Sequence, residues 1–322
     1  MAATESGRPT VLVLRALHLG DLLVAVPALR ALRRAYPGYQ LVLATSPVLA
    51  PLAELTGVVD AVAPAAGPEA VAWAGPGPEV AVNLHGTGPQ SHRALDALGP
   101  RTRIGFRADG WSGPEWATVA RDHAHERERW CALLQAYGIP TDPEDVALHA
   151  PASVPHPGPA PVLVHPGARY GAKRWPAERF AVVAGALGDA GHRVLLTGSA
   201  DERSLAVAVA RGAGLPLTRV LAGRTSLRQL CGLVAGAGLV ISGDTGIAHV
   251  AAAYRTPSVA LFGPVSPAQW GPPVGGPHLA LTVPDARHGD PFTDRPDPAL
   301  LGVSVDDVLR AGRTLLSPVA SR

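Results

Sequence analysis

Short runs rich in Val, Leu and Ile alternate along this chain with longer Ala-, Leu- and Arg-rich segments, and the alternation runs through twice. Few folds are open to such a pattern. Strands alternating with helical segments build βαβ units, and βαβ units build parallel sheets covered by helices. In the first half the pattern predicts strands over Thr10–Arg15, Gln40–Ala44, Val58–Ala63, Glu79–Leu84 and Arg103–Phe106. Helices are predicted over Asp21–Tyr36, Pro47–Leu55, Pro89–Leu98 and Glu126–Tyr137, with Pro27 tolerable only near the start of the first. Residues 151–161 hold five prolines and read as a semi-rigid linker. The pattern then restarts. Strands are expected at Val162–His165, Arg193–Thr197, Arg219–Leu221, Leu239–Ser242 and Ser258–Phe262, and helices at Ala177–Asp189, Asp201–Gly212, Ser226–Ala235 and Gly246–Ala253. Gly275–Pro298 reads as loop, and Val305–Leu315 as a last helix with the option of packing back on the first domain. The expected architecture is α/β: two doubly wound parallel-sheet domains, 1–150 and 162–322, around a cleft at the C-terminal ends of both sheets.

Composition removes several classes of function. A chain of 322 residues, 47% hydrophobic and 17% charged, describes a soluble globular protein of two-domain length. A net charge of +2 gives no argument for nucleic acid. Cys131 and Cys231 stand alone, with no spacing for zinc or a disulfide framework. His123, His125 and Glu126 have no second cluster to complete a metal site and read as a helix entrance. The first nine residues are polar, and no run reaches the ~20 apolar residues of a membrane span. The cytoplasm is the default location, with peripheral membrane contact left open.

Of the 28 basic residues, a single one is lysine, Lys173. A composition so biased to arginine keeps a lysine where a compact point charge is wanted rather than a planar fork. Binding a phosphate is one such use. The surrounding segment, His165-Pro-Gly-Ala-Arg169-Tyr-Gly-Ala-Lys173-Arg-Trp-Pro176, supplies a second cation in Arg169.

The segment Ile241-Ser-Gly-Asp244-Thr245-Gly246-Ile247-Ala-His249 reads as a strand, a small-residue turn and a helix start. Backbone N–H groups at Thr245, Gly246 and Ile247 then lack helical partners and form an anion site. Asp244 either caps that helix or faces the ligand, and His249 lies one turn below the site. Asp-Thr-Gly also marks aspartic proteases, but those need two such carboxylates; here the tripeptide occurs once.

After the first predicted strand stands Leu17-His-Leu-Gly20-Asp21. With one glycine, it is not a dinucleotide fingerprint. Asp21 serves either as a helix cap or as a general base for a hydroxyl substrate. Ser199, Asp201 and Glu202 follow another strand end; an acidic residue there either holds ribose hydroxyls or sits solvated in the helix's first turn. Asn83, His85, Gln90 and Arg93 are candidates to line a pocket for a second substrate.

Taken together, these segments resemble glycosyltransferase family 9, the bacterial ADP-heptose transferases and their relatives. The resemblance rests on Leu19-Gly-Asp-Leu, Val82-Asn-Leu-His-Gly, His165-Pro-Gly-Ala with Ala-Lys173-Arg-Trp-Pro, and Leu221-Ala-Gly-Arg-Thr-Ser-Leu. It continues in Ser242-Gly-Asp-Thr-Gly-Ile-Ala-His and Leu261-Phe-Gly-Pro-Val-Ser-Pro. It implies a GT-B fold, with the acceptor on the first domain and a nucleoside-diphosphate sugar, ADP-sugar favoured, on the second. It implies an inverting, metal-independent transfer of heptose or a related sugar to a hydroxyl of a glycan, lipid-linked or small-molecule acceptor, with no cofactor. By this match Asp21 is the base, Lys173 neutralises the diphosphate, and Thr245, Gly246 and Ile247 hold the phosphates. Asp244 lies near the sugar and His249 supports the loop. Asp201 or Glu202 takes the ribose, and Thr225 lies near the nucleobase. Two departures stand out: Asn83 where relatives often carry Asp, and Gly167-Ala-Arg169 in place of paired threonines. Residues 110–116 and 275–298 match no family pattern. The rival readings are another GT-B enzyme, such as a nucleotide-sugar epimerase, and a nucleotide-sugar-binding protein without turnover.

Overall fold

The computed structural model describes residues 7–122, 125–151 and 159–317. The chain divides into two compact units, Met1–His149 and Ala150–Arg322. Most of the proline-rich stretch read as a linker, His123, and the first six residues lie outside the described residues.

The first unit is a five-stranded parallel sheet, β1 (Thr10–Leu14), β2 (Gln40–Thr45), β3 (Ala61–Pro64), β4 (Val80–Asn83) and β5 (Thr102–Ile104), in the order β3-β2-β1-β4-β5. Its helices are α1 (Leu19–Val24), α2 (Val26–Ala35), α3 (Ala50–Leu55), α4 (Pro89–Asp96), α5 (Trp116–Asp122) and α6 (Glu126–Gln135). All five residues of β1 are buried, which is why this strand reads as an unbroken apolar run rather than an alternating one. The single helix predicted over 21–36 is two. Pro27 sits in the first turn of α2, where its missing N–H costs nothing, and the chain turns at Ala25, whose N–H reaches back to Leu22.

The second unit repeats the plan with β6 (Val162–His165), β7 (Val194–Leu196), β8 (Leu239–Gly243), β9 (Ser258–Leu261) and β10 (His278–Leu281), ordered β10-β9-β8-β6-β7, all parallel. Its helices are α7 (Ala177–Asp189), α8 (Arg203–Gly212), α9 (Leu227–Ala235), α10 (Gly246–Ala253), α11 (Pro267–Trp270), α12 (Pro298–Leu301) and α13 (Val305–Leu316). Two expectations are corrected here. The strand expected at Arg219–Leu221 is only a bridge from Val220 to Leu196, because Leu217–Arg219 winds into a 3-10 turn. The 275–298 segment is not loop throughout: His278–Leu281 adds an edge strand to β9. The last helix lies within the second unit against α7, β8 and β9, with Val308, Leu309 and Ala311 in that unit's core.

Each sheet begins at a strand that becomes central. The chain winds to one side (β1 to β2 and β3; β6 to β7), then returns to the other side at β4 or β8. Loops leaving the C-terminal ends of β1 and β4, and of β6 and β8, therefore run in opposite directions, and the crevice between them is where such folds bind ligands. Among the described residues no helix is long and apolar enough to cross a membrane.

Candidate functional site

In the first unit the crevice is built from the residues immediately after β1 and β4. Leu14 is in register with Asn83, so Arg15 and Leu84 leave the sheet at one level. Arg15 is 2% exposed. Its Nε donates to the backbone carbonyl of Asp21 at 2.9 Å and its Nη1 to that of Leu84 at 2.5 Å. Its Nη2 lies 3.5 Å from Asp21 Oδ1, and the guanidinium stacks over Trp130, 4.6 Å from the ring centroid. Asp21 stands in the first turn of α1 and accepts the His18 N–H at Oδ2, 3.1 Å, so it does brace the helix start. Its side chain nevertheless keeps 23% exposure. Bracing and access coexist.

His85 follows on the β4 side. Its Nδ1 accepts the Ala16 N–H at 3.2 Å, and burial together with the Arg15 cation pushes its pKa down to about 4. At neutral pH the ring is therefore uncharged, with its hydrogen on Nε2. Asn83 is fully buried; its amide donates to Ser91 Oγ and its carbonyl accepts the His85 N–H. This side chain, a candidate to line a second-substrate pocket, holds the turn that presents His85. Gln90 and Arg93 lie on exposed positions of α4, while His92 is buried edge-on against Trp111. Trp111 itself, in the stretch that matched no pattern, donates to Asp96 and closes this side of the sheet.

In the second unit Lys173 ends a 3-10 turn, Gly171–Lys173, and its Nζ donates to Asp244 Oδ2 at 2.6 Å. Asp244 follows β8, is 5% exposed, and has its pKa raised by burial against the opposing pull of Lys173. It does not cap α10: the N-cap is Thr245, in extended backbone, and Asp244 turns to the lysine. The Thr245 Oγ1 is buried without a hydrogen-bond partner. Thr245, Gly246 and Ile247 thus open the helix next to the Asp244 carboxylate that holds the lysine. His249, one turn on, packs edge-on against Trp270, 5.9 Å between centroids.

The carboxylate of Glu202 lies over Gly167, where any side chain would collide with it. Glu202 Oε2 accepts the Ser199 N–H at 2.8 Å, and Ser199 Oγ accepts the Glu202 N–H at 3.3 Å. Oε2 also sits 3.9 Å from Nε2 of His165, whose pKa burial lowers despite that carboxylate. Glu202 is thus fixed at the end of β6, whereas Asp201 is exposed. Gly223, with φ near +70°, packs on Ala200 and donates to the Gly198 carbonyl, which sets half-buried Thr225 beside the 198–202 turn. Arg169 is exposed with its guanidinium over the Tyr170 ring.

Three parts of the site escaped the sequence reading: Arg15, Trp270 and the segment 287–297. That segment is pinned to the lysine's turn. The Ala172 N–H donates to Thr293 at 2.8 Å and the Ala172 carbonyl accepts from Asp297 at 3.1 Å. Gly171 packs against the backbone of Asp294 so closely that a Cβ would collide with it. Asp297 is itself buried and accepts the N–H groups of His288, Gly289 and Ala299. Among the described residues no group of three or more His, Cys, Asp or Glu side chains gathers as metal ligands.

Residues 96–281 match the family described as Glycosyltransferase family 9 (heptosyltransferase). Lipopolysaccharide heptosyltransferase 2 of Escherichia coli K12 is 42% identical over 106 residues, 32% of this chain and 30% of that protein. Lipopolysaccharide heptosyltransferase 1 of Salmonella typhimurium LT2 is 29% identical over 288 residues, 80% of this chain and 89% of that protein. The alignments with the heptosyltransferase 2 proteins thus span about a third of those relatives' length. Among solved structures, E. coli ADP-heptose LPS heptosyltransferase II superposes with a TM-score of 0.76 at 23% identity, covering 95% of this chain and 98% of that one. An E. coli heptosyltransferase bound to ADP gives 0.67 at 20% identity, covering 95% and 99%. The fold is therefore the two-Rossmann-unit α/β fold of the GT-B class.

Proposed function

Because this chain belongs to glycosyltransferase family 9, we propose that it transfers a heptose or related sugar from an ADP-sugar to a hydroxyl of a glycan or lipid-linked acceptor, with inversion. The observation that carries this reading is the start of α10. A lone lysine held by a buried carboxylate, free helix-start N–H groups and an unpartnered threonine hydroxyl converge at the switch point between β6 and β8. Such an arrangement suits a diphosphate: the N–H groups take oxygens and the point charge meets the growing negative charge. Glu202, already fixed over Gly167, suits the ribose hydroxyls better than exposed Asp201, and Thr225 borders that place.

In the first unit Asp21 is the proposed base. It takes the proton of the acceptor hydroxyl as that oxygen attacks the anomeric carbon. The bond from that carbon to the diphosphate breaks, and the electron pair leaves with the nucleoside diphosphate, whose charge Lys173 meets. His85 offers its Nε2 hydrogen to the acceptor, with Gln90 and Arg93 on the neighbouring helix face. Solved relatives bound to ADP and to ADP-2-deoxy-2-fluoro heptose support the adenine and heptose assignment.

Thermal unfolding with ADP, GDP, UDP and dTDP tests the donor assignment. A ligand at one hundred times its Kd stabilises the native state by about 2.7 kcal/mol, so ADP should raise Tm by several degrees and the others by less. Stabilisation by UDP or GDP in preference to ADP would overturn the nucleobase, and no response to any diphosphate would overturn the donor site.

A further inference from the structure

A buried arginine stands beside the half-buried carboxylate of Asp21, and Arg15 does more than pair with it. Its three guanidinium nitrogens reach the Asp21 backbone carbonyl, the Leu84 carbonyl and the Asp21 carboxylate, while Trp130 covers its face. It therefore ties the start of α1 to the end of β4, the two elements that carry Asp21 and His85. We propose that Arg15 is a positioning residue for the acceptor side, a clamp that holds Asp21 and His85 at one spacing across the switch point and places a fixed cation beside them. The inference rests on the proposed role of Asp21 as base.

The charge argument follows from the neighbours. The groups facing Arg15 are Asp21 from α1 and Glu126 from α6, and both oppose the burial that pulls its own pKa down. Glu126 is in turn held by Arg129 at 2.6 Å. Burial is the main reason His85 resists protonation; of the charged groups facing it, Arg15 adds to that effect and Asp21 opposes it. A fixed cation in this place adds to burial in keeping the imidazole neutral. With Nδ1 already accepting from Ala16, the neutral imidazole can only donate from Nε2. One buried cation thus leaves a proton acceptor and a hydrogen-bond donor side by side, which is what an incoming hydroxyl needs. Lysine cannot replace it: a point charge lacks the fork that reaches two carbonyls at once.

The test compares Arg15→Met, Arg15→Lys and the unaltered full chain, each checked for folding by circular dichroism and calorimetry. Imidazole NMR, with His85 assigned by His85→Gln, reads the clamp without any substrate. The His85 titration should start at about 4, rise by about one unit in Arg15→Met and stay low in Arg15→Lys. Turnover is read as ADP release from ADP-heptose with a lipid-linked heptose acceptor. In both variants kcat should fall, about 10-fold in Arg15→Lys and about 100-fold in Arg15→Met, the loss expected when a base is misplaced by about an ångström, while the KM for ADP-heptose stays within about twofold. An unmoved His85 titration in Arg15→Met would overturn the charge role. Full kcat in Arg15→Lys would overturn the fork, and that variant answers the question if Arg15→Met does not fold. No ADP release from the unaltered protein would instead overturn the proposed reaction, leaving the titration to judge the clamp.

Discussion

Replacing Lys173 with Met exposes what Asp244 costs the fold when its partner is gone. The carboxylate is 5% exposed, its partner nitrogen lies 2.6 Å away, and burial already pushes its pKa up. Removing one member of a buried ion pair typically costs about 3–5 kcal/mol. Lys173 keeps 21% exposure, which argues for the lower end. Protonation sets a ceiling, because the folded variant can always neutralise Asp244. From the ordinary value of 3.8, that costs about 4 kcal/mol at pH 7 and under about 2 kcal/mol at pH 5. The sign follows directly. A carboxyl whose folded pKa lies above its unfolded one leaves stability intact below 3.8 and removes it as pH rises toward the folded value. Lys173→Met should therefore lose about 3 kcal/mol at pH 7 and clearly less at pH 5. Adding Asp244→Asn should restore about 2 kcal/mol, since a neutral amide no longer needs the cation. Calorimetry at the two pH values, following the transition of the second unit, measures all four corners of the cycle. Equal losses at pH 5 and pH 7, or a double variant no more stable than Lys173→Met, would refute the view that the two side chains form one buried charge unit.

Two further expectations concern turnover and binding. Asp21→Asn should lower kcat about 10²–10⁴-fold with ADP affinity unchanged; near-normal turnover, read by ADP release, would leave Asp21 a helix brace only. Gly167→Ala places a Cβ on the Glu202 carboxylate, so ADP affinity measured by calorimetric titration should fall about tenfold while the fold survives; an unchanged affinity would remove Glu202 from the ribose site.

The strands were legible because a parallel sheet buries both faces: β1, β6 and β8 carry the unbroken apolar runs 11–14, 162–164 and 239–241, and each run leads into the residues that form the site. β10 was not, since an edge strand is only half covered and His278-Leu-Ala-Leu sits among prolines and glycines. The helix expected over 21–36 broke where backbone hydrogen bonding, rather than hydrophobic period, decides. Lysine among arginines drew attention to Lys173, and the same bias hid Arg15, one basic residue of 28 whose burial only the fold reveals. Asn83 carried a polar signal that the sequence cannot assign, because a buried amide holding a turn and an exposed amide touching a substrate look alike in one dimension. The glycines at 167 and 171 are similar: their reasons, Glu202 and Asp294, are 35 and 123 positions away.

The pinning of 287–297 to the lysine's turn bears on how this protein can be altered. Both polar groups of the Ala172 backbone are committed to that segment, and Gly171 admits its approach. A chimera that imports the corresponding segment from a relative imports a new seat for Lys173 as well. Such a graft succeeds only if residues 170–173 travel with it, so sequence 120 residues apart behaves as one heritable module. Insertions or deletions between His288 and Asp297 should accordingly be read as changes at the lysine, even though they fall in what looks like a surface loop.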